Sequence, residues 1–101
     1  MRRRRLYLSG TGIDGAYFTP RECEIMLSAM CGDTMQQSAI KLGLSPRTVE
    51  YYINNMRHKL SCENKKQLIH KVKHSNFIQS LRELIRKRMK EREEENQYSL
   101  G

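Results

Sequence analysis

In the stretch GLSPRTVEYYINNMRHKL, residues 43–60, side chains that hydrogen-bond and side chains that do not are sorted by position. Val49, Tyr52, Ile53, Met56 and Leu60 recur with the spacing of one helix face, and Arg47, Glu50, Tyr51, Asn54, Arg57 and His58 occupy the other. That polar set has the chemistry of base-edge recognition. An Asn pairs bidentately with adenine, an Arg with guanine, and a carboxylate accepts from the exocyclic amine of cytosine. An acid also repels phosphate and so penalises misplaced docking, which makes Glu50 a mark of selectivity more than of affinity. The alternative for Glu50 is an ion pair along the helix with Arg47 or Arg57, worth about 0.2–0.5 kcal/mol.

Other reactive constellations are weaker. His70 and His74 stand one helical turn apart with Cys62 before them, but a zinc site needs a fourth ligand that the sequence does not offer, so a solvent-facing His pair is the simpler reading. Cys23 and Cys31 fit the core of the first helix, and Glu22 has a structural use as a capping partner. No Ser–His–Asp set, Gly-rich phosphate loop or carboxylate pair stands in a credible context. The sequence points to no enzyme and no cofactor.

Composition bounds the partners. A chain of 101 residues makes one domain with one modest core, and at 38% hydrophobic and 30% charged it is globular but polar. The longest apolar run, IMLSAMC, is far too short to span a membrane, and the basic start lacks the apolar segment of a secretory signal. An odd set of three cysteines fits a reducing cytoplasm. The net charge of +8 favours a polyanion: DNA, RNA or an acidic membrane surface. Half of that excess equals the charge of Arg2 to Arg5, a run that suits a minor groove, a phosphate backbone or a solvated arm alike.

The elements that would position the polar face follow from punctuation. Residues 1–17 read as a basic, Gly-rich arm without an apolar period, in which RLYLS is at most briefly extended. Four helix starts follow: TPRE, with Thr19 as N-cap and Glu22 closing a capping box; TMQQ, with Thr34 and Gln37; SPRT, with Ser45 and Pro46; and NKKQ, with Asn64 and Gln67. Gly32 and Gly43 mark stops. The implied helices are roughly 20–31, 35–42, 46–60 and 64–75. A further amphipathic helix is expected from Phe77 to about Asn96, with Phe77, Ile78, Leu81, Leu84, Ile85 and Met89 as its stripe, ending in a solvated tail.

Between the second and third helices lies the turn of a helix-turn-helix. Ala39 is small where two helices would cross closely, Gly43 admits a left-handed turn, and Leu42, Leu44, Val49 and Tyr52 supply apolar contacts. With TPRE, Gly32, Ala39, Leu42, LSPRTVE, Lys59–Leu60 and Asn64–Lys65 held in register, the segment from Phe18 to Ile78 resembles the LuxR-type (NarL/FixJ-like) helix-turn-helix domain in its stand-alone form. The resemblance implies an all-α, four-helix domain over 18–78, with the helix-turn-helix at about 35–54, a recognition helix at about 46–60, and an extra C-terminal helix and tail over 79–101. It also implies a transcription regulator of a bacterial cytoplasm that binds double-stranded DNA as a homodimer. Ser38 departs from the family's usual apolar residue; it is expected to bond back to the Thr34 carbonyl or to leave a looser core. Asn76 stands in place of a frequent Gly and is expected to take over its left-handed cap.

Roles follow from resemblance and helical geometry together. Glu50, Tyr51 and Asn54 face base edges, with Arg57 one turn further on. Thr48, Lys59 and Lys65 are placed by the family pattern to touch the DNA backbone. Arg47 adds to these, and Thr34 and Gln36 reach another phosphate from the start of the second helix. His70, His74, Phe77, Ile78, Leu81, Leu84 and Ile85 are dimer or partner contacts, unless the last helix folds back on its own domain. A competing function is a protein–protein adaptor acting through that helix, with the helix-turn-helix as scaffold or weak DNA tether. Non-specific RNA or nucleoid binding rests on the basic arm alone.

Overall fold

Each helix begins where a side chain supplies the acceptor that the first turn lacks. In the computed structural model, which describes residues 5–87, α1 (Pro20–Met30) opens on a complete capping box. Thr19 Oγ1 accepts from the Glu22 N–H at 3.3 Å and Glu22 Oε1 accepts from the Thr19 N–H at 2.9 Å. Thr34 and Gln37 repeat the box at α2 (Met35–Leu42), with bonds of 3.1 and 2.9 Å. Ser45 caps α3 (Pro46–Lys59) ahead of a proline, and Asn64 caps α4 (Lys65–Lys73).

The stops are equally local. Gly43 takes the left-handed conformation (φ 68°), which lets the Leu44 N–H reach the Ala39 carbonyl at 2.9 Å and turns the chain into α3. At the end of α3 the same device is built on Ser61 (φ 54°), with the Cys62 N–H donating to the Arg57 carbonyl at 2.9 Å.

The first seventeen residues correct the sequence reading. From Leu6 onward the segment is part of the fold: β1 (Leu6–Tyr7) pairs antiparallel with β2 (Tyr17–Phe18), Leu6 opposite Phe18 and Tyr7 opposite Tyr17. Leu6, Leu8, Ala16 and Phe18 are buried and Tyr7 is exposed, the two-residue alternation of a strand. Its apolar face closes one side of the core formed by Ile25, Met26, Val49, Ile53, Met56, Leu60, Leu68 and Val72.

A fifth helix, α5, is described over 77–87. It folds back on the domain. Phe77 is fully buried and meets Phe18 edge-on at 5.7 Å, and Leu81 is buried beside it. The expected continuation to about Asn96, with Met89, lies outside the described residues, as do the solvated tail and Arg2 to Arg4. Among the described residues no helix is long and apolar enough to cross a membrane.

Two polar expectations are corrected. Asn76 is not a left-handed cap, since Ser61 is the sole non-glycine with positive φ among the described residues. It clamps the hairpin to α5 instead: its Oδ1 accepts from the Ser9 N–H at 2.7 Å and its N–H donates to the Ser9 carbonyl at 3.2 Å. Ser38 bonds to Ser28 Oγ at 2.6 Å rather than to the Thr34 carbonyl. Ser28 donates its single hydroxyl proton to Asp33 Oδ2 at 2.6 Å, so Ser38 is the donor in the first bond. The carboxylate also accepts from Lys41 Nζ at 2.5 Å. The buried hydroxyl is thus satisfied through a chain that ends on a surface cation.

Candidate nucleic-acid interface

The apolar face of α3 is the reason its polar face is held out. Val49, Ile53 and Met56 are buried, which leaves Arg47, Glu50, Tyr51 and His58 exposed on the opposite side. Tyr51 is 61% exposed, with its ring edge-on to Tyr52 at 5.5 Å. Glu50 forms no ion pair among the described residues, so the helix pairings weighed for it are not made. Arg47 has no carboxylate partner among them either.

Arg57 and Asn54 are joined. Arg57 Nη1 donates to Asn54 Oδ1 at 2.9 Å and Nη2 donates to the Glu63 carbonyl. A guanidinium can only donate, so the oxygen of Asn54 must face Arg57, and the carboxamide orientation follows. The NH2 group and the second lone pair of Asn54 stay unengaged among the described residues.

The residues expected to meet phosphates fall into two groups. Thr34, Gln36 and Arg47 are exposed, and Thr48 is half-buried with its hydroxyl bonded to Ser45 Oγ at 2.8 Å. The two lysines are engaged internally. Lys65 Nζ donates to the Asp33 carbonyl at 3.2 Å. Lys59 Nζ pairs with Glu22 Oε1 at 2.6 Å, where the Glu22 side chain is 3% exposed, and lies 4.3 Å from the centre of the Tyr17 ring. Arg5 stacks on that ring as well, at 4.6 Å. Glu22 thus serves the α1 cap and the ion pair at once, and Tyr17 ties β2 to the last turn of α3. The cap was legible in the sequence; the ion pair and the Tyr17 contact were not, because those partners of Lys59 lie 37 and 42 residues away.

A hollow of about 410 Å³ opens between Thr19 and Glu22 on one side and Tyr51, Tyr52, Asn55, His58 and Lys59 on the other. Asn55 and His58 join the candidate surface here.

The expected partner contacts separate. His70 and His74 are exposed, with ring centres 4.4 Å apart. Phe77 is fully buried in the core of the chain, and Leu81 is buried beside it but lines a shallow hollow with Leu84 and Ile85. Ile78 and Leu84 are half-buried against that core, while Ile85 is 47% exposed.

Three titrations are displaced among the described residues. The Lys41 ammonium, and then the Ser28 hydroxyl, hold the Asp33 carboxyl below its usual range, and the same bond raises Lys41. Burial, with Glu22 and Glu24 nearby, pushes the Cys23 thiol up to about 11, which keeps it protonated and unreactive at neutral pH.

The GerE family model, described as bacterial regulatory proteins of the luxR family, matches residues 16–72, more than half of the chain, from β2 through α1, α2 and α3 to all but the last residue of α4. The chain belongs to the LuxR family. No curated protein and no solved structure matches it. LuxR-family membership makes the domain a helix-turn-helix of a DNA-binding transcription regulator. The LuxR-type match stops before Phe77, so α5 lies beyond it.

Proposed function

We propose that this chain is a sequence-specific regulator that lays α3 in the major groove of duplex DNA and binds as a homodimer to an inverted repeat. The observation that carries the reading is the outward face of α3. Glu50 and Tyr51 are exposed there, and Asn54 keeps its amide donors for a base edge. Glu50 accepts from a cytosine amine, and Asn54 donates to N7 of a purine and accepts with its second lone pair. Arg57 is a positioning residue: its bond to Asn54 sets which way the carboxamide faces. Thr34, Gln36, Arg47 and Thr48 contact the phosphates on either side, and Lys59 and Lys65 do so by sharing their present acceptors.

Homodimer formation is supported by the exposed face of α4 around His70 and His74 and by the pseudo-symmetry that such regulators read. Sedimentation of the protein on a selected duplex tests it. Two protomers per duplex, with half-sites about one helical turn apart, support the proposal. One protomer on an unrepeated site overturns it. The exposed Ile85 on α5 favours a second reading, a protein partner at that edge, which dimerisation that survives substitution of Ile85 would leave open to direct capture.

A further inference from the structure

The fourth helix carries one sign of charge. Lys65, Lys66, Lys71 and Lys73 lie on it with no carboxylate among them. Lys65 and Lys71 donate to the Asp33 and Leu60 carbonyls, at 3.2 and 2.7 Å, and these neutral acceptors leave the charges standing. Lys66 and Lys73 are exposed, and none of the four forms an ion pair among the described residues. A hollow of about 550 Å³ opens along this helix, lined by Lys66, His70, Lys71 and His74 and bordered by the turn after α3 and the hairpin loop at Gly10. A Cβ at Gly10 would lie 3.5 Å from the His74 carbonyl, so the loop stands against the end of α4.

The volume is that of a small-molecule site, and its chemistry is that of an anion site. No acidic side chain lines it. The two imidazoles stand with centres 4.4 Å apart and neither is hydrogen-bonded among the described residues. An imidazole keeps a ring N–H in either protonation state, so both rings and the Lys66 ammonium are donors without an acceptor. An oxyanion supplies that acceptor through charge-assisted bonds. The same face of α4 is the one given above to the dimer. Two copies meeting there set like charges against each other, which opposes association. We propose that this hollow binds a small polyvalent oxyanion of the phosphate class, and that filling it removes the repulsion between two α4 faces. The linkage rests on the dimer reading given above; the site itself does not.

The test is an NMR titration of the whole chain with inorganic phosphate at constant pH and ionic strength. The ring signals of His70 and His74 are expected to shift along a saturating curve, while His58, in the separate hollow beside α3, stays still. K66Q is expected to weaken that curve roughly tenfold with the fold intact, since Lys66 is exposed. Equal shifts at all three histidines, or a curve unchanged in K66Q, overturn the site, because the anion would then be drawn diffusely to a basic surface. Shifts that appear with duplex DNA and never with phosphate overturn it too, because the phosphates would be those of DNA. Sedimentation in the same buffers reads the linkage. Phosphate at about ten times its dissociation constant is expected to tighten self-association roughly tenfold, and K66Q to lose that response while keeping the dimer in chloride. A dimer indifferent to phosphate overturns the linkage and leaves the dimer reading standing. Monomers at every concentration, with the hollow filled, count against the dimer reading and leave the site standing.

Discussion

Lys59 balances the charge of a buried carboxylate, that of Glu22. Removing it leaves Glu22, nearly inaccessible to water, with a charge that nothing balances. K59A is therefore predicted to lower unfolding free energy by about 2–4 kcal/mol in urea titration. E22Q is predicted to cost less, because Gln still closes the capping box and the partly exposed Lys59 can turn to solvent. Equal losses would contradict this asymmetry. Asn54 acts at the same scale. N54A should cost about 1–3 kcal/mol at one base position and relax preference there. Because Arg57 works through Asn54, R57A should blur the same position, and the double variant should blur it no further.

At the scale of elements, α5 is part of the fold. Phe77→Ala should lower stability by about 3–5 kcal/mol, read by denaturant unfolding; a loss below 1 kcal/mol would mean the core closes without it. Deletion of 77–101 is consequently no clean assay of self-association, since it removes core. The hydroxyl chain from α1 to α2 has its own signature. Asp33 titrates lower folded than unfolded, so its contribution is present above about pH 4, where the unfolded carboxyl ionises, and fades as pH falls through the lower folded value. D33N should abolish that part of the acid destabilisation.

Sequence reading reached helices whose signals are local. Thr19, Thr34, Ser45 and Asn64 act within four residues of themselves, and Gly43 acts through its own φ. It missed what depends on distant partners. Three alternating residues at Leu6 to Leu8 are too few to announce a strand until Ala16 and Phe18 pair with them. Ser38 could not be matched with Ser28, nor Asn76 with Ser9, before the chain was folded. The outward polar face of α3 was legible because it is the complement of an apolar period; the bond that joins Arg57 to Asn54 is a matter of side-chain rotamers.

For the molecule as a whole, the fold turns one polar helix face outward from a single core, while Lys41 and Lys59 are spent on ion pairs within the domain. The central claim is that α3 reads bases through Glu50, Tyr51 and Asn54. Selection of random duplex DNA by the wild-type protein and by N54A, at near-physiological salt, tests it most directly. An enriched inverted repeat is expected for the wild type, with lost preference at a symmetric pair of positions for N54A. Binding that enriches no sequence and merely fades as salt rises would contradict it.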